Sequence, residues 1–284
     1  MYIQVSEILK LAQQRHTAAI AFICKDYIMA RTVVYAAEAV KTPAIIMLLP
    51  EHAVIQKTTG FAGFAAGVQE LAQQVKIPIA LHCDHDFNYE NVMRSIDCGF
   101  TSVMMDGSMH DLDTNIRLTK AVVETAHTRG VVVEGEIGHV GLAADSDNQN
   151  EDLYTKPDTA AKFCKETGVD SLAVSIGNAH GAYKQTPHLD IQRLEEIRSA
   201  TDVPLVLHGG SGIPDDQLLE AFSKGICKFN LGTDYLNRYY SAVEKFVQEN
   251  QSNPDPIKIL NLESYVQGEL QPYVEERLTM LCHF

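Results

Sequence analysis

Short apolar runs recur along the chain, each bounded by turn residues and followed by a stretch with helical spacing. Eight of them are predicted as strands: 18–23, 44–49, 77–82, 101–105, 131–136, 171–176, 203–208 and 226–231. Near-continuous hydrophobicity over such short lengths is the pattern of parallel strands buried on both faces. Between them, Asp113 is predicted to cap a helix through Thr128, with Leu118, Ala121, Val122 and Ala126 on one face and Gly130 at its end. Asp190 precedes Ile191, Leu194 and Ile197 at helical spacing. Pro214 opens a helix carrying Leu218, Leu219 and Phe222, which Gly225 closes. Eight strand–helix repeats with no Pro/Ser-rich linker and no low-complexity run predict one α/β domain over 1–284, a (β/α)8 TIM barrel. An open doubly wound sheet is the second choice. After Asn253, "NPDP" introduces a polar helical stretch ending at Phe284. It is predicted as a C-terminal helical extension (about 254–284) that packs on the barrel or on a partner subunit.

Composition narrows the class. With 284 residues, 45% hydrophobic and 21% charged, the chain can bury a large core. A formal net charge of −14 argues against nucleic acid or a membrane surface as partner. An anionic substrate must therefore be held by local donors. Six scattered cysteines (Cys24, Cys83, Cys98, Cys164, Cys227, Cys282) read as reduced small hydrophobes of a cytoplasmic protein. No apolar stretch reaches the roughly 18 residues of a membrane span. The opening "MYIQVSEILKLAQQ" lacks a basic segment before an apolar one, so a cytoplasmic location is expected.

The candidate chemistry lies at the ends of the runs. His85, His180 and His208 each fall just past one. In an α/β barrel, polar residues at the C-terminal ends of strands share one face. Three imidazoles meeting there, with one coordination position open, would make a catalytic rather than a structural zinc site. In "LHCDHD", Asp84 would serve as general acid or base while His85 binds metal, and His82 would point with Asp84 or orient a ligand. "MMDGS" places Asp106 at the end of strand four. "VEGEIG" sets Glu134 and Glu136 on one side of strand five, to ligate a cation, to orient its histidines or, for Glu134, to make an interior ion pair. "IGNAHGAYK" offers Gly181 for close backbone approach and Lys184 as a point charge. "LHGGSG" (Gly209, Gly210, Ser211) and "NLGT" (Asn230, Leu231, Gly232, Thr233) follow runs seven and eight. Glycine-rich turns before helices present N–H groups to an anion, and this position is the usual phosphate site of such barrels.

The segments "LHCDH", "SVMMDGS", "VEGEIG", "AVSIGNAHGAYK", "PLVLHGGSG" and "ICKFNLGTD" resemble those of class II, zinc-dependent ketose-bisphosphate aldolases, the fructose- and tagatose-bisphosphate enzymes of carbohydrate metabolism. The resemblance implies a TIM-barrel aldehyde-lyase with one Zn2+ per chain on His85, His180 and His208. It implies Asp84 as proton donor to the aldehyde oxygen, and Gly181, Gly209–Ser211 and Asn230–Thr233 as the dihydroxyacetone phosphate site with Lys184 nearby. Asp106 and Glu136 match an alternative or second metal position. A monovalent cation (Na+ or K+) at the phosphate and a homo-oligomer, dimer or tetramer, come with the same resemblance.

Four positions depart from that pattern. Ile23 and Leu49 stand where the family usually has Asn and Ser. The loop "GLAADSD" carries Ala144 where a Glu that moves the enediolate proton is usual, with Asp145 as a substitute base. Gln267 or Gly268 occupies the place of an arginine for a distal phosphate. The expected function is a ketose (bis)phosphate aldolase acting through dihydroxyacetone phosphate. The alternatives are a non-catalytic metal-binding sugar-phosphate sensor or subunit, and a phosphate-binding barrel isomerase or epimerase.

Overall fold

A computed structural model describes residues 1–55, 60–138, 140, 153–181, 183–251 and 256–284. Eight parallel strands close into a barrel in chain order: β1 (Ala19–Ile23), β2 (Ala44–Leu48), β3 (Ile79–Asp86), β4 (Ser102–Met105), β5 (Val132–Ile137), β6 (Ser171–Val174), β7 (Leu205–Leu207) and β8 (Ile226–Leu231). The register Ala21↔Asn230 seals β1 to β8, which excludes the open sheet. Outside it run α1 (Val5–Arg15), α2 (Tyr27–Val40), α3 (Phe61–Gln73), α4 (Tyr89–Asp97), α5 (Leu112–Thr128), α6 (Pro157–Thr167), α7 (Ile191–Ala200), α8 (Asp215–Ser223), α9 (Thr233–Asn250) and α10 (Leu262–Leu281).

The local chemistry explains the boundaries, including two that differ from expectation. Asp190, which precedes the helical spacing read from Ile191, caps α7 by accepting from the Arg193 N–H at 2.8 Å. The cap of α5 is Asp111 rather than Asp113; its carboxylate accepts from the Thr114 N–H at 3.0 Å and starts the helix earlier. Pro214 stands at the cap of α8, outside the first turn.

Inward side chains alternate with outward ones along each strand. At the N-terminal end of the barrel, Ala19, Ala21, Ile45, Met47, Ala80 and Cys227 pack against Val5, Ile8, Leu9 and Ala12 of α1, which plugs that end. Further along the same strands the inward side chains become His82, Asp84, Glu134, Lys228 and Asn230, bonded to one another across the barrel. The tail is less polar than its composition suggests. Val266, Leu270, Val274, Leu278 and Leu281 form a buried stripe on α10, which packs on α2, α9 and the barrel flank. Arg31 of α2 donates to Gln267 at 2.9 Å, and Arg277 forks onto Asp215 of α8 at 2.7 and 3.1 Å. All six cysteines are free, and all but Cys98 are buried. Among the described residues no helix is long and apolar enough to cross a membrane.

Candidate active site

β3 extends beyond its apolar run, because the strand is bulged. Between Cys83 and Asp86 it holds one residue more than the facing stretch of β4, and His85 takes a left-handed backbone (φ 45°) there. A non-glycine residue in this region costs on the order of 1–3 kcal/mol, so the surrounding structure must impose it. The bulge breaks the alternation that would send neighbouring side chains to opposite faces. Asp84 and His85 thus both serve the mouth, with Asp84 Oδ2 4.0 Å from His85 Nε2.

His85, His180 and His208 converge from β3, the loop after β6 and the end of β7. Their ring centroids are 4.8 Å apart (His85–His180), 4.6 Å (His85–His208) and 5.8 Å (His180–His208). One nitrogen from each lies within 4.8 Å of the other two. Two rings have their far nitrogens engaged by carboxylates: His85 Nδ1 lies 2.9 Å from Asp106 Oδ2, and His208 Nε2 2.8 Å from Glu134 Oε1. If both far nitrogens donate, the facing pair, His85 Nε2 and His208 Nδ1 at 2.9 Å, presents two lone pairs to one another. A proton or a cation must sit between them. Ligands of a tetrahedral zinc at about 2.0–2.1 Å lie about 3.3 Å apart, close to this spacing. Three neutral-capable imidazoles backed by carboxylates are a donor set that fits Zn2+.

Without an ion the carboxylates decide where the proton resides. Burial alone would lower the His85 pKa, but Asp84, Asp106 and Glu136 raise it to about 10. His180 falls to about 3, through burial and the charge on its two neighbours. Burial, with Asp106 close by, pushes Glu136 up to about 8; its Oε2 is buried without a hydrogen-bond partner, 3.4 Å from His208 Nδ1.

Beneath the imidazoles lies a buried polar layer. Lys228 Nζ reaches Glu134 Oε1 at 3.1 Å and Oε2 at 3.0 Å, and Ser171 Oγ donates to Glu134 Oε2 at 3.1 Å. Glu134 therefore belongs to this interior ion pair and to His208, deeper than the mouth itself. Burial would raise its pKa, but Lys228 and His208 hold it well below the usual carboxylate range. Asp84, 1% exposed, is held by Asn230 Nδ2 at 3.1 and 3.3 Å and lies 3.4 Å from His82 Nε2. His82 is anchored in turn by Ser102 at 2.8 Å. Burial opposes the Asp84 charge, yet His85, His82 and Lys228 keep the carboxyl ionised, well below its ordinary value.

The glycine turns lie beside this cluster. Gly209 (φ 64°) approaches the preceding loop so closely that a Cβ would meet the Ala179 carbonyl oxygen at 2.1 Å. At Gly210 a Cβ would strike Phe229, at 1.8 Å. Gly232 caps α9 under Ile23, whose Cδ1 would lie 2.5 Å from an added Cβ. The N-terminus of α9 thus points to the mouth, with Ser211 Oγ accepting from the Asp234 N–H at 3.1 Å. Leu231 is buried at the end of β8, Gly181 (φ 91°) and Thr233 flank the mouth, and Lys184 is exposed. Asn230, expected at the phosphate, donates its side-chain amide to Asp84. Gln267, expected near the distal end of the substrate, is engaged with Arg31 between α2 and α10. Ala144 and Asp145 lie outside the described residues.

Three contributors escape a motif-based reading. Tyr183 ties the loops after β6 and β7 together: its hydroxyl accepts from the Ala179 N–H at 2.7 Å and donates to the Gly209 carbonyl at 2.9 Å. Asn178 Nδ2 donates to the His208 carbonyl at 3.1 Å. Lys228 could have been found from the lysine within "ICKFNL", a charge in an otherwise apolar strand that must meet a countercharge inside the barrel.

Fold and mouth define a barrel enzyme with its polar groups gathered at the C-terminal ends of the strands. A sequence model described as fructose-bisphosphate aldolase class-II matches residues 3–282. A fructose-bisphosphate aldolase of Geobacillus stearothermophilus is 35% identical over 267 residues, covering 91% of this chain and 90% of that one. Among solved structures, the YdjI aldolase of Escherichia coli K12 superposes with a TM-score of 0.86 at 34% identity, covering 99% and 98% of the two chains. A fructose-bisphosphate aldolase of Campylobacter jejuni, at 22% identity and a TM-score of 0.81 over 99% and 95%, shares the fold. The chain belongs to the class II fructose-bisphosphate aldolase family, whose members are carbon–carbon lyases.

Proposed function

We propose that the chain is a zinc-dependent aldolase that cleaves and forms a ketose phosphate between C3 and C4, with dihydroxyacetone phosphate as one product. The observation that carries this reading is the convergence of His85, His180 and His208 beside a buried Asp84 held by Asn230. His85, His180 and His208 would hold the ion, with Asp106 and Glu134 fixing two of the rings and Glu136 as a further carboxylate within reach. When bound, the ion supplies Lewis-acid polarisation of the substrate ketone.

The remaining work falls to the protein. The turns at Gly181, Gly209–Ser211 and Asn230–Thr233, with the α9 N-terminus and Lys184, hold the phosphate. The Asp84 carboxylate takes the proton of the C4 hydroxyl during cleavage and returns it to the aldehyde oxygen during synthesis. Asn230 and His82 fix its orientation. A cytoplasmic location is inferred from the scattered cysteines and the N-terminal composition, while a monovalent cation (Na+ or K+) at the phosphate and a homo-oligomer, dimer or tetramer, belong to this reading through the family resemblance.

The test is metal content together with exchange of the C3 proton of dihydroxyacetone phosphate into D2O, followed by NMR. Protein prepared without chelator is expected to hold about one zinc per chain, to lose it in His208→Ala, and to catalyse exchange only with zinc. Protein without metal, or with zinc but no exchange, defeats the proposal. Ala144 at the position of the usual loop glutamate favours the sensor as second reading. A sensor would bind dihydroxyacetone phosphate without exchanging its proton.

A further inference from the structure

Beside the imidazoles lies a cavity of about 310 Å3 that none of these steps uses. His85 forms one wall, so the cavity adjoins the three histidines through that ring. The other walls come from the segment after β2, the end of β3, the turn that follows it and the first turn of α4. The phosphate turns follow β7 and β8, and in an eight-stranded ring β7 stands opposite β3. A substrate with its phosphate on that side and its reacting bond at the imidazoles must project its remaining carbons toward β2 and β3.

The lining is uneven in chemistry. Leu49, Pro50 and Phe87 supply apolar surface, and Phe87 is 64% exposed at the rim. Asp86, 2% exposed, lies at the floor with its carboxyl engaged by the Asn88 N–H at 3.0 Å and by Asn91, itself a wall of the cavity. Glu51 adds a second carboxylate. Among the described lining residues there is no lysine or arginine. Lys25, within electrostatic reach of His52 after β2, is paired with Asp26 at 2.7 Å and lies over the Tyr239 ring. A phosphate in this cavity would lose its hydration against two carboxylates. A hydroxyl would find an acceptor, and a methyl group an apolar wall.

Building on the proposed aldolase function, we infer that this cavity is the aldehyde subsite. It takes a short, uncharged 2-hydroxyaldehyde with an apolar end, which makes the ketose a monophosphate rather than a bisphosphate. In cleavage the electron pair of the C3–C4 bond stays with C3 and the C4 hydroxyl loses its proton to Asp84. C4 leaves as the aldehyde carbon, C3 takes a proton from solvent water to give dihydroxyacetone phosphate, and Asp84 returns its proton to solvent. Leu49 and Phe87 select the apolar end, and Glu51 and Asn91 offer the polar atoms that take the hydroxyl.

The experiment measures aldol addition of dihydroxyacetone phosphate by the zinc-loaded enzyme to lactaldehyde and to glyceraldehyde 3-phosphate. C3 proton exchange is followed in the same preparation. A kcat/KM at least about 100-fold higher for lactaldehyde is expected. Exchange with equal or reversed preference overturns the subsite and leaves the aldolase reading standing, whereas absence of exchange overturns both. Phe87→Arg should move the ratio at least about tenfold toward glyceraldehyde 3-phosphate, and Leu49→Ser should raise KM for lactaldehyde about tenfold. Ratios and KM that do not move in either variant place the aldehyde elsewhere.

Discussion

The same eight strands end in two different kinds of interior. At the α1 end Ala19, Ala21, Ile45, Met47 and Ala80 meet Val5, Ile8, Leu9 and Ala12, and shape alone holds the contact. At the other end His82, Asp84, Glu134, Lys228 and Asn230 occupy inward positions, and each depends on a particular partner. The plugged end can exchange one apolar group for another at modest cost, whereas each loss at the mouth strands a buried charge. Both ends carry stability, the plugged end through shape and the mouth through paired charges, but only the mouth holds groups placed for chemistry.

The sharpest break should come at Asp84. Asp84→Asn keeps the shape but not the base, so kcat should fall about 10²–10⁴-fold. Zinc content by elemental analysis should be unchanged; preserved turnover would move proton transfer to another group. Lys228→Met should cost about 3–5 kcal/mol in denaturant unfolding, because Glu134 remains buried and charged. Adding Glu134→Gln should return much of that loss, and additive losses would refute the pairing. Ile8→Ala, at the plugged end, should cost about 2–5 kcal/mol by leaving a cavity while kcat/KM stays close to normal. A large loss of kcat/KM there would mean that the two ends are coupled.

Two smaller effects refine the mouth. Tyr183→Phe strips the Ala179 N–H and the Gly209 carbonyl of a partner, at about 1–3 kcal/mol. This should appear mainly as a higher KM for dihydroxyacetone phosphate. The final effect is in pH. His85 is raised to about 10, so below that value the metal-free site holds a proton that zinc must displace. Apparent zinc affinity should rise with pH, about tenfold per unit between pH 6.5 and 7.5, by competition with a chelator. A flat profile would show that the proton is absent.

Much of this was legible before any coordinates, and the remainder had identifiable causes. Each of the eight apolar runs became a strand, because runs this short between helices can be buried only in a parallel sheet. The three histidines met because strand ends share a face. The bulge at His85 was not legible: alternation separates neighbours, and only the pairing of β3 with β4 shows the extra residue. The hydrogen bond from Asn230 to Asp84 escaped as well, since the "NLGT" motif points to phosphate while the partner lies on another strand. Tyr183 and Asn178 act through backbone carbonyls, which leave no mark in a motif.

The sequence by itself determined the barrel, the order of its strands and the residue types delivered to its mouth, because periodicity, turn chemistry and chain order act locally. Only the tertiary structure decided which nitrogen faces which carboxylate, which buried charge answers which, and where an apolar cavity meets the imidazoles. Those outcomes depend on closure of the ring, which brings β3 opposite β7 and β8 beside β1. Distances across a closed ring are set by all eight strands together.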